Sequence, residues 1–287
     1  MPLLLLHGWP YSFLQMLKII PLLNNFQENA DNKVDSFHVI VPSLPGYGFS
    51  DRPVKRGMTV AAIADLLIKL MHESLGYKRF AIRATDIGVG VANELALSYS
   101  ESVIGLHMSG TNPWIGELPL DLSEAEKKLI EDIKIFQQQE FAYAMLHSTK
   151  PQTLAYGLND SPAGLAAWIV EKFRAWSDCQ GNVENRFTKD ELLTNLTLYW
   201  VTETINSSIR LYYESAHNWS ANAGKRVEVP IGVAMFPKDM APGPREWLER
   251  GFNVQHWTDM PKGGHFGEME EPELLAKDIR DFFRTLH

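Results

Sequence analysis

Residues 80–98, FAIRATDIGVGVANELALS, decide the fold of this chain. The apolar start of the stretch is typical of a buried strand, and its second half has the Ala, Leu and Val content of a buried helix. Between the two, Asp86 has the small residues Ala84 and Gly88 two positions away on either side. Small residues at these places let a strand turn abruptly into a helix, so the sequence predicts a nucleophile elbow with Asp86 at its tip.

Asp86 has a second interpretation, because Asp often caps a helix by accepting hydrogen bonds from the first free amides. The stretch alone does not separate a helix cap from a nucleophile. The polar residues at the ends of the other predicted strands decide between these two roles.

The composition is that of a folded globular domain. With 287 residues the chain is long enough for one large domain that carries an insertion. Its hydrophobic fraction of 45% and charged fraction of 22% argue against disorder and against a fibrous repeat. The formal charge of −8 argues against a nucleic-acid partner, because binding to phosphate backbones depends on clustered Lys and Arg.

The single cysteine, Cys179, excludes an internal disulfide and a cysteine-based zinc site, and it suits a reducing compartment. We therefore expect a cytoplasmic protein.

The leucine run at residues 3–6 has no basic residues before it, so we interpret it as a strand and not as a signal peptide. No stretch approaches the roughly 20 apolar residues needed to cross a bilayer, and no membrane span is expected. The sequence does not decide the oligomeric state, and a homodimer is left open.

Strands and helices are predicted to alternate along most of the chain. Strands are predicted at residues 3–6, 37–41, 80–82, 103–108, 231–236 and 253–257, and helices at residues 14–22, 60–75, 89–97, 245–250 and 272–286. This order is typical of a mainly parallel sheet with helices on both faces. Residues 112–225 show no clear strand and are predicted to be helical at 123–147, 163–176 and 189–214. The sequence therefore predicts an α/β core domain of residues 1–111 and 226–287 and a helical cap of residues 112–225.

Polar side chains fall at the predicted carboxyl ends of the strands, where open α/β sheets bind their ligands. They are His7, Asp86, Asp239 and His265. The chain order of nucleophile, carboxylate and histidine is the order of the triad in the α/β-hydrolase fold. We therefore predict that Asp86 is a nucleophile with Asp239 and His265 as its partners, and that His7 braces the neighbouring loop. A turn-forming role for Asp239 and a packing role for His265 are the alternatives.

Five motifs together carry a resemblance to a known family. They are HGWP at 7–10, GYGFSD at 46–51, TDIG at 85–88, FPKD at 236–239 and GGHF at 263–266. With these motifs the chain resembles, over essentially its whole length, an α/β-hydrolase-fold epoxide hydrolase of the microsomal or juvenile hormone type. The resemblance implies that a small apolar epoxide and water are the substrates and that neither a cofactor nor a metal is needed.

The resemblance also implies a role for each site residue. Asp86 would be the nucleophile, His265 the base that activates water, and Asp239 the acidic partner of that histidine. Family members use two cap tyrosines to hold the epoxide oxygen, and Tyr143 and Tyr212 match them. The alternative for the two tyrosines is that their rings only fill the cap.

The chemistry of the side chains agrees with these roles. A carboxylate that attacks a strained, saturated carbon forms an ester that water can cleave, whereas serine would form an ether that water could not cleave. A histidine with a pKa near neutrality can take the proton of that water. The backbone N–H groups of Trp9 and Ile87 are expected to hold the oxyanion, because one follows the first strand and the other follows the nucleophile. Phenols can donate hydrogen bonds to the alkoxide that ring opening leaves.

Three other functions are weighed against epoxide hydrolysis. A haloalkane dehalogenase uses the same ester chemistry, but it commonly has a Trp directly after the nucleophile, where this chain has Ile87. A serine esterase would carry Gly-x-Ser-x-Gly, which this chain lacks. A shortened, non-catalytic α/β hydrolase is the third, because family members usually carry an N-terminal extension and two further strands before the first strand predicted here.

Tyr11 and Arg83 differ from the small residues of the family, and we expect both to crowd the active site.

Overall fold

A parallel sheet of six strands forms the frame of the computed structural model, which describes residues 1–24, 36–110 and 119–286. The strands are β1 Pro2–Leu6, β2 His38–Ile40, β3 Phe80–Thr85, β4 Val103–Ser109, β5 Val227–Met235 and β6 Phe252–Asp259. They lie in the order β2-β1-β3-β4-β5-β6, and every neighbouring pair is parallel. The predicted α/β fold with a parallel sheet is confirmed.

Helices cover both faces of this sheet, as predicted. In chain order they are α1 Ile19–Asn24, α2 Val60–Lys69, α3 Ile87–Ser98, α4 Glu124–Gln139, α5 Ala142–Thr149, α6 Pro151–Asp160, α7 Pro162–Trp176, α8 Lys189–Thr202, α9 Ile205–His217, α10 Arg245–Glu249, α11 Gly267–Glu270 and α12 Pro272–Arg284. Leu4 and Leu6 of β1 join a hydrophobic cluster with α2 and α3, whereas Leu3 and Leu5 join a second cluster with α1 and α12. Successive strand residues point to opposite faces, so both faces of the sheet are buried.

Local sequence signals account for the ends of the core helices. Thr59 caps α2, because its hydroxyl accepts a hydrogen bond from the N–H of Ala62. The helix continues as a π-helical turn, Leu70–Ser74, before a left-handed Gly76 with φ of 76°. Of the apolar residues expected to face inward at the C-terminus, Leu275, Ile279, Phe282 and Phe283 of α12 are buried, whereas Leu286 follows the helix and is half-buried.

The helices between β4 and β5 differ in number from the prediction. The predicted helix at 123–147 is two helices, α4 and α5, and the one at 189–214 is α8 and α9. The break after α8 falls at Glu203, whose φ of 52° is left-handed, and no Gly or Asn marks it in the sequence. Helix α6, which begins at Pro151, was not predicted, although proline suits the first position of a helix.

We refer to α4–α9 as the cap helices, since all of them lie between β4 and β5 in the chain. The division into a core and a cap domain stays a prediction, and its boundary at residues 111 and 112 lies outside the described residues. In the parts of the chain that the structure describes, every helix is too short or too polar to cross a membrane.

Candidate active site

Asp86 lies at the sharp turn between β3 and α3. Its φ of 51° is left-handed, a conformation that is rare outside glycine and that stores strain at functional turns. The turn can be this tight because a Cβ on Gly88 would lie only 2.5 Å from the carbonyl oxygen of Leu6. The side chain of Asp86 makes no capping hydrogen bond to α3, so the alternative that it only caps this helix is wrong.

The loop after β1 brings a backbone donor to Asp86. The N–H of Trp9 donates to Asp86 Oδ1 at 2.9 Å. Gly8 makes this approach possible, because a Cβ at Gly8 would lie 2.1 Å from the same oxygen. The N–H of Leu44 donates to Nε2 of the buried His7 at 3.2 Å, which ties this loop to the loop after β2. Burial lowers the pKa of His7 to about 4, so its imidazole is neutral and can accept this bond.

The N–H of Trp9 is one of two backbone amides next to the carboxylate of Asp86. Besides Trp9, Ile87 is the first residue of α3, and its N–H therefore has no acceptor within the helix. These are the two amides that the sequence predicts for the oxyanion. Across residues 1–24, 36–110 and 119–286, no group of three or more His, Cys, Asp or Glu side chains could hold a metal ion.

The three side chains predicted as a triad converge on one place. Nδ1 of His265 lies 2.8 Å from Asp239 Oδ1, and Nε2 of His265 lies 3.5 Å from Asp86 Oδ2. All three are largely buried, with side-chain exposures of 2% for His265, 3% for Asp239 and 12% for Asp86. They come from three different strand ends at the carboxyl edge of the sheet, which explains how distant residues meet. Their catalytic roles stay predictions.

The loop that carries Asp239 is held against the loop that carries His265. The N–H of Lys238 donates to the carbonyl oxygen of Gly263 at 3.1 Å. Gly110, at the end of β4, leaves room for the carboxylate, because a Cβ there would lie 2.8 Å from Asp239 Oδ2. These contacts place Asp239 beside the imidazole, and its Oδ1 also accepts from the N–H of Met240 at 2.7 Å, so Asp239 bonds both to its own turn and to His265.

Two carboxylates flank His265 and set its protonation. Burial lowers the pKa of the imidazole, but the charges of Asp239 and Asp86 and the hydrogen bonds to them outweigh burial and raise it to about 10. An imidazole with this pKa carries a proton at neutral pH. His265 therefore rests as a cation between two anions, with Nδ1 donating to Asp239.

Tyr143 on α5 and Tyr212 on α9 come together over the loop after β1. Their ring centroids are 6.1 Å apart. The ring of Trp9 stacks on Tyr143 at 5.2 Å with an interplanar angle of 11°, and it meets Tyr212 edge to face at 6.3 Å. The neighbouring Tyr213 instead stacks on His217 at 4.0 Å. The structure therefore brings together the two tyrosines that the sequence selected.

The hydroxyls of Tyr143 and Tyr212 stay protonated near neutral pH. Burial raises the pKa of each phenol well above its ordinary value, and the charge of Asp86 raises both further. A protonated phenol can donate a hydrogen bond to a developing alkoxide. Both side chains are thus in the ionisation state that the predicted role requires.

His147 is a site residue that the sequence analysis missed. It lies one turn after Tyr143 on α5, and its ring contacts Trp9 at 4.6 Å and Tyr212 at 4.9 Å. Burial lowers its pKa to about 3, and the indole N–H of Trp168 donates to its Nε2 at 3.1 Å. A neutral histidine that accepts at Nε2 carries its proton on Nδ1. The spacing of four residues from Tyr143 was the available signal, because it puts both on one helix face.

Arg83 does not crowd the active site, and the expectation that it does is wrong. It is fully buried, and Nε and Nη2 donate to Glu268 Oε1 at 3.0 Å and 2.8 Å. Nη1 also lies 3.3 Å from Nδ1 of His107. Side chains alternate along β3, so Arg83 points to the opposite face of the sheet from Ala84.

Tyr11 also lies away from the nucleophile. Its ring packs on Phe173 at 4.6 Å and on Phe266 at 5.0 Å, and its hydroxyl contacts the sulfur of Met269. Its carbonyl oxygen accepts from the hydroxyl of Tyr199 at 2.6 Å. Tyr11 therefore fills space behind the loop of His265 instead of narrowing the space in front of Asp86.

Known proteins are similar to this chain in amino-acid sequence. A family model described as alpha/beta hydrolase fold matches residues 1–145. A putative epoxide hydrolase of Stigmatella aurantiaca (strain DW4/3-1) is 40% identical over 288 residues, which cover 100% of this chain and 65% of the relative. Epoxide hydrolase 1 of Sus scrofa is 37% identical over 311 residues, which cover 99% of this chain and 68% of that protein.

Solved structures of epoxide hydrolases are similar as well. Juvenile hormone epoxide hydrolase from the silkworm Bombyx mori matches with a TM-score of 0.86 and 32% identity, over 99% of this chain and 72% of that chain. Aspergillus niger epoxide hydrolase matches with a TM-score of 0.83 and 32% identity, over 100% of this chain and 72% of that chain. The chain spans about two thirds of the length of the curated relatives that it matches. It belongs to the family of α/β-hydrolase-fold epoxide hydrolases of the microsomal and juvenile hormone type.

Proposed function

We propose that this chain is an epoxide hydrolase that converts an apolar epoxide to a vicinal diol through an ester on Asp86. The observation that carries the proposal is the position of His265. One ring nitrogen faces Asp86 at 3.5 Å, and the other bonds Asp239 at 2.8 Å. Relatives that are 40% and 37% identical carry the name epoxide hydrolase, which supports the same activity here.

The surroundings of Asp86 favour an apolar substrate. The rings of Trp9, Tyr143, Tyr212 and Trp176 contact one another above the carboxylate. Next to the triad, a cavity of about 200 Å³ is lined by Asp239 and not by Asp86, and its walls are mainly apolar, with Ile133, Phe136, Phe141, Met235 and Met240 among them. Apolar walls with a few polar donors are the usual composition of a small-molecule site. An epoxide with an aryl or alkyl substituent suits this combination.

In the first step the ionised carboxylate of Asp86 attacks a ring carbon of the epoxide. A carbon–oxygen bond to Asp86 forms while the carbon–oxygen bond of the strained ring breaks. The hydroxyls of Tyr143 and Tyr212 donate to the ring oxygen, and one of them supplies the proton that the alkoxide needs. The N–H of Trp9, 2.9 Å from Asp86 Oδ1, keeps the carboxylate aimed for attack.

In the second step water cleaves the ester. With Asp86 esterified, the imidazolium of His265 first loses its Nε2 proton, which restores the hydroxyl of the tyrosine that protonated the alkoxide. Nε2 of the neutral imidazole then takes a proton from a water molecule, and the water oxygen attacks the ester carbonyl of Asp86. Asp239 accepts from Nδ1, which stabilises the imidazolium that forms. The amides of Trp9 and Ile87 bind the oxyanion of the tetrahedral intermediate. Its collapse breaks the bond to the substrate oxygen, which takes a proton from His265 as the diol leaves. The carboxyl proton that remains on Asp86 then returns to Nε2 of His265, which restores the carboxylate and the imidazolium.

Trapping the ester tests the proposal. His265→Gln is incubated with excess styrene oxide, digested, and analysed by mass spectrometry. The peptide that contains Asp86 is expected to gain the mass of one substrate molecule, because the variant forms the ester but cannot hydrolyse it. The double variant Asp86→Asn, His265→Gln is the control and should gain nothing. An unmodified Asp86 peptide at saturating epoxide would refute the mechanism.

A further inference from the structure

The chain that follows α7 crosses directly over the loop that carries His265. The N–H of His265 donates to the carbonyl oxygen of Trp176 at 2.8 Å. Gly264 is the point of closest approach, because a Cβ there would lie 2.6 Å from Trp176 O and 2.8 Å from the Cα of Ser177. Backbone packs on backbone at this crossing. The position of His265 therefore depends on the position of the last cap residues of α7.

Asp178 binds the same loop through both its side chain and its backbone. Asp178 Oδ2 accepts from the N–H of Gly263 at 3.2 Å. The N–H of Asp178 donates to Glu270 Oε2 at 2.8 Å, and Oε1 of Glu270 accepts from the N–H of Phe266 at 3.1 Å. The buried carboxylate of Glu270 thus joins the residue after His265 to a residue after α7.

Arg186 closes this set of contacts. Its Nη2 lies 3.0 Å from Asp178 Oδ2 and its Nη1 lies 3.0 Å from Glu271 Oε1, while Nε donates to the carbonyl oxygen of Asp178 at 2.8 Å. The side chains of Arg186 and Glu271 are only 22% and 5% exposed. Partly buried, charge-assisted bonds of this kind hold geometry better than surface ion pairs. We call Asp178, Arg186, Glu270 and Glu271 the histidine clamp.

We propose that the histidine clamp positions His265 for ester hydrolysis, so that residues next to the cap helices control the second step of the reaction. This inference rests on the proposed function. Within the described residues, the bonds of the clamp reach the loop of His265, and none of them goes to Asp86, Trp9, Tyr143 or Tyr212. The clamp therefore bonds directly to the loop of the group that hydrolyses the ester, whereas it reaches the groups that form the ester indirectly, through Trp176, whose ring packs on Tyr143 at 5.1 Å.

Steady-state kinetics separates the two steps. In a two-step reaction with an ester intermediate, kcat/KM depends on substrate binding and on ester formation. The rate constant of ester hydrolysis affects kcat and KM equally and therefore cancels from kcat/KM. A displaced His265 slows hydrolysis, so the ester accumulates and kcat and KM fall by the same factor. A change that only unfolds a fraction of the enzyme molecules lowers kcat and kcat/KM by the same factor and leaves KM unchanged.

Two variants break the clamp in different ways. Arg186→Gln removes both ion pairs. Glu270→Gln keeps the size of the side chain but replaces one accepting oxygen by an NH₂ group, which cannot accept from an amide. Arg174→Gln is the matched control, since Arg174 lies near the clamp in the chain but donates to the carbonyl of Gly181 at 2.8 Å. Arg186→Lys keeps the charge without the fork that bridges two carboxylates, and it should fall between wild type and Arg186→Gln.

The decay of the ester is measured with styrene oxide by rapid quenching and mass spectrometry of the Asp86 peptide, beside steady-state rates. In both Gln variants of the clamp the decay rate constant should fall on the order of 10- to 100-fold, while kcat/KM stays within about twofold. Arg174→Gln should match wild type. The inference is overturned if the rate constant of ester decay is unchanged in both clamp variants, whether or not kcat/KM falls. Either result leaves the proposed function intact. If His265→Gln forms no ester at all, the proposed function and the inference both fail.

Discussion

Nε2 of His265 faces Oδ2 of Asp86 across 3.5 Å, and the charge on Asp86 helps to raise the pKa of His265 to about 10. Conversion of Asp86 to an ester makes this group neutral and removes its contribution, while burial continues to lower the pKa. The pKa of His265 then falls, and the imidazole can lose its proton. In the proposed mechanism the charge on Asp86 therefore links the two steps, because conversion of Asp86 to an ester favours loss of the proton from His265.

The pKa of His265 should accordingly be lower in Asp86→Asn, whose neutral amide stands in for the ester. The imidazole signals are followed by NMR over a pH titration. Only the neutral imidazole takes a proton, so the rate of ester hydrolysis in the wild type should rise with pH through this lowered pKa. Asp65→Asn, which changes a carboxylate bonded to Tyr99, is the control. An equal pKa of His265 in Asp86→Asn and wild type would rule out the link.

The two tyrosines should act on ring opening alone. Tyr143→Phe and Tyr212→Phe each remove one hydroxyl that donates to the ring oxygen. Hydrogen bonds to charged groups are worth about 1.5–3 kcal/mol, so each change should lower kcat/KM about 10- to 150-fold. The decay of the ester should stay at the wild-type rate. Tyr213→Phe is the matched control, because this ring stacks on His217 away from the site, and a loss there as large as at its neighbour would argue against the assignment.

Gly8 should be required for the nucleophile to keep its position. A Cβ at Gly8 would lie 2.1 Å from Asp86 Oδ1, where the N–H of Trp9 now donates. Gly8→Ala should therefore slow ester formation by about 100-fold or more, the usual loss when one such donor is displaced. Gly157→Ala is the comparison, because a Cβ there meets nothing within 4 Å and alanine is favoured in the middle of a helix. Near-normal ester formation in Gly8→Ala would show that the loop can adjust.

The meeting of Asp86, Asp239 and His265 could be predicted because it follows from topology. Parallel strands end at one edge of the sheet, so a polar residue at each strand end is close to the others whatever separates them in the chain. The small residues Ala84 and Gly88 marked the elbow for a similar reason, since steric limits on a sharp turn are local. Helix caps such as Thr59 are local signals too.

Features that depend on distant partners could not be predicted. The strand that leads to Asp86 extends beyond its predicted end at residue 82 to Thr85 and buries Arg83, because Glu268 supplies a buried counter-charge. His147 joins the aromatic site through Trp9 and Tyr212, neither of which is near it in the chain. The spacing of four residues between Tyr143 and His147 is the one local signal for His147, and the residues around Arg83 do not show which side chain supplies its counter-charge.

Breaking the buried pair of Arg83 and Glu268 should destabilise the fold more than breaking a surface ion pair. Both side chains are fully buried, 2.8 Å apart, and Gln15 donates to the second oxygen of Glu268 at 2.7 Å. Removing one charge leaves the other buried without a partner, which costs about 3–5 kcal/mol, so Glu268→Gln should lower the free energy of unfolding by that amount. The double variant Arg83→Met, Glu268→Leu leaves no charge behind and should recover most of the loss.

Urea unfolding of Arg83→Met, Glu268→Leu and the double variant that combines them gives the coupling energy of the pair as a double-mutant cycle. The surface pair of Lys277 and Asp281 on α12 is the control, and its loss in Asp281→Asn should cost less than about 1 kcal/mol. A buried pair that proves no more costly to break than this surface pair would mean that water reaches Arg83 or that the sheet relaxes around it. Because Arg83 lies on the strand that ends at Asp86, such a relaxation should also appear as slower ester formation in Glu268→Gln.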